Sequence, residues 1–162
     1  MVNRDSRGFF EALVGDGRPL VTFTAICLGL SGVFAILQSA TGQFLPHDTA
    51  FLAMSADDLC GMNECRIVHF MFHDRVSFGG ALIALAAMYF WLAEFPLRAR
   101  QCWAWWALLL SGVLGFGSFL TYLGYGYLDT WHGAATLLLL PCFAGGVWRL
   151  RAIANAPARP TE

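Results

Sequence analysis

No lysine occurs in the 162 residues, and charged side chains of both signs make up only 13% of them. Soluble globular chains carry about 25%, so a water-facing surface is not what this sequence encodes. The ten positive charges are all arginine and form no patch able to neutralise a row of phosphates, which argues against a nucleic-acid partner. Also missing are a phosphate-binding glycine loop, a dinucleotide fingerprint, a serine-nucleophile elbow and a pair of catalytic carboxylates. Catalytic residues are therefore unassigned, and the chain is not expected to be an enzyme on its own. A secretory leader is not expected either. Residues 1–19 include Asp5, Glu11 and Asp16, and no apolar stretch follows a basic start, so the first apolar segment should remain as an anchor.

What fills the chain instead is apolar: 57% of residues, fourteen of them phenylalanine. Four stretches are long enough to cross a bilayer core as helices, at about 19–40, 76–95, 102–123 and 131–148. The expected fold is therefore all-α, an integral membrane four-helix bundle over 19–148. It is preceded by an N-terminal segment, 1–18, that could lie in the interface or form a loose tail, and followed by a short polar tail, 149–162. Small residues such as Ala25, Gly29, Gly32 and Ala35 offer close packing to a neighbouring helix. The outer loop, 41–75, holds too many large apolar residues (Phe44, Leu45, Phe51, Leu52, Met54) for a solvated linker, so a short helix or ordered flap is expected there. The second span should continue upstream as a helix, Pro96 should close it, and Pro141 should kink the fourth.

Orientation follows from the arginines. Arg4, Arg7 and Arg18 precede span one, Arg98 and Arg100 lie between spans two and three, and Arg149, Arg151 and Arg159 follow span four. Four spans put all eight on one side, which the positive-inside rule makes the cytoplasm, with both termini there. Asp48, Asp57, Asp58, Glu64, Asp74 and Asp129 fall on the other side. Trp91, Trp103, Trp105, Trp106 and Trp148 form the cytoplasmic aromatic belt, and Tyr122, Tyr125, Tyr127 and Trp131 the outer one.

Polar chemistry gathers where the second apolar run begins. His69 and His73 are one helical turn apart, and the topology brings His132 and Asp129 to the same depth. His69, His73 and His132 could ligate a metal ion or haem iron, with Asp74 or Asp129 beside them. Alternatively, Asp74 and Arg75 form an ion pair that pins the start of span two, Asp74 lying near a helix N-terminus and Arg75 reaching the interface. In a functional version Arg75 binds an anionic or quinone-type oxygen while His73 moves protons. Glu94 is expected to pair with Arg98 one turn on. Cys60 and Cys65 flank a four-residue loop, and in an oxidising compartment they should close a structural disulfide. Cys27, Cys102 and Cys142 are dispersed and need no role.

The strings HDRVSFGGALIALAAMYFWLAEFPLR and GFGSFLTYLGYGYLDTWHG resemble a group of bacterial integral membrane proteins without an established activity. That group pairs an HDR-x-x-FGG element, here His73 to Gly80, with a late GY-x-D-x-x-H element, here Gly126, Tyr127, Asp129 and His132. The resemblance covers roughly 47–148. It implies that His73, Asp74, Arg75, Asp129 and His132 belong together, and it points toward a redox neighbourhood because related segments occur beside flavin dehydrogenase domains. The expected function is a small multi-pass protein of the bacterial cytoplasmic membrane whose outer His/Asp/Arg cluster holds a metal, haem or quinone as a binding or redox-associated subunit. The alternative is a non-catalytic assembly subunit. Expected partners are membrane lipid and a larger membrane or redox complex.

Overall fold

The computed structural model describes residues 14–62, 64–119, 121–126 and 130–155, apart from the side chains of 122, 123, 131 and 132. Among the described residues the chain is helical throughout, without a strand. Four longer helices run over Arg18–Ala40 (α1), Arg66–Glu94 (α4), Cys102–Ser118 (α5) and Thr130–Arg149 (α7). Two short ones, Pro46–Leu52 (α2) and Ala56–Met62 (α3), build the expected flap between α1 and α4. Thr121–Gly124 (α6) and Arg151–Ala154 (α8) are single turns.

Helices α1 and α4 are long and apolar enough to cross a membrane, at 23 and 29 residues. At 1.5 Å per residue, α1 spans roughly 34 Å, slightly more than a hydrocarbon core of about 30 Å. Only 22% of the most apolar stretch of each is buried within the chain. The core helix of a water-soluble fold would hide most of it. Instead Phe23, Ile26, Leu30, Val33, Phe34 and Leu37 leave one side of α1 exposed. The helix that carries the second apolar run extends upstream to Arg66, as expected. The third expected span is divided, since α5 ends at Ser118 and α6 takes up the chain three residues later. Pro141 lies inside α7 without dividing it.

α1 packs chiefly along α4 and next on α7, while α5 meets α7, α8 and, more briefly, α4. The α1–α4 crossing rests on two glycines. A Cβ on Gly32 would stand 2.5 Å from the Gly79 carbonyl oxygen, and one on Gly79 would stand 2.8 Å from that of Gly32. Hydrogen side chains at both positions let the backbones meet.

Buried apolar residues form two clusters at opposite ends of this pair. The larger joins Val21 and Ala25 of α1, Tyr89, Leu92 and Ala93 of α4, Ala104 and Leu108 of α5, and Phe143 and Val147 of α7. Within it the Tyr89 ring stacks on Phe143 at 5.7 Å, and the Tyr89 hydroxyl shares a 2.8 Å hydrogen bond with Ser111. Trp105 Nε1 donates to the Val147 carbonyl at 3.0 Å. The start of the polar C-terminal tail packs here too: Leu150 and Ile153 are buried, and Cys102 Sγ donates to the Ala154 carbonyl. The smaller cluster lies beneath the flap and comprises Phe44, Ala56, Leu59 and Val68, with Leu52, Met71 and Phe72 packed against it.

Candidate functional site

The flap helices start with the same device. Leu45-Pro46-His47-Asp48 places proline in the first turn of α2 and an aspartate at its third position, whose Oδ2 accepts the Leu45 N–H at 3.0 Å. At α3, Ser55 and Asp58 make the reciprocal form: Asp58 Oδ2 accepts the Ser55 N–H at 2.9 Å, and Ser55 Oγ accepts the Asp58 N–H at 3.2 Å. The Sγ atoms of Cys60, within α3, and Cys65, three residues past its end, stand 2.03 Å apart, the bonded pair expected, tying α3 to the start of α4. Residue 63, inside that loop, lies outside the described residues.

These constraints bring Asp48 onto α4. Its side chain is only 6% exposed, and Arg75 Nη2 donates to its Oδ2 at 2.6 Å, across 27 positions of sequence. His47 Nε2 lies 3.5 Å from the other carboxylate oxygen. Arg75 is itself mostly buried, at 19% exposure, with its guanidinium carbon 6.0 Å from the Phe72 ring centre. Phe72 in turn meets Phe44 edge-on at 5.9 Å. One nitrogen, Nη1, is fully buried and has no hydrogen-bond partner among the described residues. A guanidinium N–H without an acceptor costs about 1–3 kcal/mol or more, so this atom is the part of the flap end that asks for a ligand or water oxygen.

The other expected site residues fall elsewhere. His69 and His73 are exposed on α4, on a different side from Arg75. His73 Nδ1 meets Asp74 Oδ1 at 3.3 Å, a contact between exposed neighbours. Arg75 therefore pairs with Asp48, not with Asp74. Nor is Asp74 near a helix N-terminus, because α4 begins eight residues earlier. Asp129 and the side chain of His132 lie outside the described residues. Among those described, no three His, Cys, Asp or Glu side chains come together as a metal-holding group. Asp48 is the residue that sequence reasoning missed. Its signal was present in Leu-Pro-His-Asp, a helix start that fixes an aspartate inward of its N-cap.

At the opposite end Glu94, the last residue of α4, is half-buried and makes no ion pair among the described residues; the expected bond to Arg98 is not formed. No protein family, curated protein or solved structure matches the chain.

Proposed function

We propose that the chain is a four-span helical bundle of the bacterial cytoplasmic membrane, both termini cytoplasmic, that binds a small oxygen-bearing ligand at Arg75 under its outer flap. Two helices of spanning length, their exposed apolar sides and the gathering of arginines at one end support the membrane reading. In this reading α7, with 20 residues, is the fourth span, and α5 together with α6 makes the third. The observation that carries the site is the buried, partnerless Nη1 of Arg75. A quinone carbonyl is the ligand class that suits one donor among Phe72, Phe44 and Met71, because it supplies an acceptor and little charge. The chain then serves as a binding or redox-associated subunit of a larger membrane complex. The metal and haem versions draw less support, since His69 and His73 face away from Arg75 and Asp48.

A second reading makes the chain a non-catalytic assembly subunit in which Asp48 and Arg75 only latch the flap, and their 2.6 Å bond favours it. Organic extraction of detergent-purified protein, followed by chromatography with absorbance detection, separates the two. The binding reading expects near-equimolar quinone in the wild type and its loss in Arg75→Gln. A wild type that carries none, in a form purified without detergent exchange, contradicts that reading and favours the latch.

A further inference from the structure

Glu94 stands in a place that ordinarily repels a carboxylate. It ends a 29-residue helix whose last turn holds no basic residue, and the helix dipole puts partial negative charge there. Two negative features thus converge on one point, and among the described residues no cation is bound to them. Shallow apolar grooves flank it, about 500 Å³ on the side of Trp91, Phe95 and Pro96 and about 390 Å³ on the side of Phe23 and Ile26. Glu94 lines both. Arg98 rims the first groove, exposed and without a carboxylate partner among the described residues, while Arg18 at the second is held by Asp16 at 2.7 Å.

We propose that Glu94, Arg98 and the two grooves bind one phospholipid with a primary-amine headgroup, of the phosphatidylethanolamine type. The ammonium sits on the Glu94 carboxylate and the α4 C-terminus, the phosphate on Arg98, and one acyl chain follows each groove. Charge complementarity selects this occupant: a carboxylate next to a free guanidinium matches a zwitterion whose cation and phosphate are two carbons apart. A purely anionic headgroup would leave Glu94 facing phosphate, and a quaternary ammonium cannot donate a hydrogen bond to it. The site rests on the membrane reading above, with this end at the cytoplasmic interface.

The test incubates delipidated full-length protein with equimolar phosphatidylethanolamine, phosphatidylcholine and phosphatidylglycerol of identical chains and measures retained lipid by native mass spectrometry. Wild type should retain phosphatidylethanolamine about tenfold over phosphatidylcholine, the equivalent of one charge-assisted hydrogen bond. Glu94→Gln should bring the two to parity, Glu94→Asp should keep the preference, and Arg98→Gln should lower retention of all three. Circular dichroism confirms that each variant keeps its helix content. Parity in the wild type, a preference for phosphatidylglycerol, or a preference unchanged in Glu94→Gln overturns the site. Flotation with vesicles separates the causes: a chain that floats and shows parity loses this site alone, whereas one that does not float loses the membrane reading with it.

Discussion

At the scale of single residues, the flap end depends on Asp48 and Arg75. Burial makes their bond asymmetric in its consequences: removing one partner strands a charge, while removing both removes the problem. Asp48→Asn or Arg75→Gln should each destabilise the fold by about 3–5 kcal/mol. The double variant should cost less than the sum, as read from thermal unfolding in detergent. Additive losses would show that the two do not act as a pair. The sequence made Arg75 visible, because a full charge at the edge of an apolar run stands out. Its partner was hidden, because 27 positions separate them and only the turn of the flap decides which aspartate arrives. Proximity in sequence favoured Asp74, but successive helix residues diverge by about 100° around the axis, so Asp74 and Arg75 leave α4 in different directions. His69 and His73 show the converse. Their spacing correctly put both on one face, and nothing in it told whether that face would be covered.

At the scale of elements, the α1–α4 crossing and the flap can be tested separately. Gly79→Ala places a methyl 2.8 Å from the Gly32 carbonyl oxygen and 2.9 Å from Ile36 Cγ1, so the helices must part, at about 1–3 kcal/mol. Gly80→Ala, with nothing within 4 Å, is the control and should be neutral or slightly stabilising through helix propensity. Equal losses in chemical unfolding would contradict the close crossing. Adjacent glycines are equivalent in the sequence string; only the rotation of α4 separates them.

In the flap, the Ser55 hydroxyl and N–H hold the Asp58 carboxyl below its ordinary value of 3.8. The folded value lies under the unfolded one, so this stabilisation is complete above the unfolded value and disappears as pH falls through the folded value. Exchange protection of the Ser55 amide, which donates to this carboxylate, should therefore persist at neutral pH and fall only in strongly acid solution. In Asp58→Asn that acid step should vanish. The disulfide is counted directly: alkylation of denatured protein should find three thiols, Cys27, Cys102 and Cys142, and five after reduction. Five in both samples would remove the tie between α3 and α4. The flap was legible as an ordered segment from its apolar content and its capping residues. Its division into two helices depends on Ala53, which takes a left-handed conformation (φ 56) that alanine does not announce.

At the scale of the whole molecule, one arrangement accounts for the two clusters, the exposed apolar sides and the charge distribution. The larger cluster ties α1, α4, α5 and α7 together at the arginine-rich end, and the flap closes the other end around α1 and α4. Long apolar runs made its four longer helices readable. The docking of 150–154 onto α5 was not readable, because Leu150 and Ile153 are two apolar residues in an otherwise polar tail.

The most direct test of the account is the orientation of that arrangement. Single cysteines are placed at Asp57 and at Arg98 in a chain whose free cysteines Cys27, Cys102 and Cys142 are replaced by alanine, and intact cells are treated with a membrane-impermeant maleimide. Labelling at 57 from outside, with 98 reached only after the cells are opened, is the predicted result. Labelling of 98 from outside, with 57 protected, would contradict the topology and with it the outer placement of Arg75.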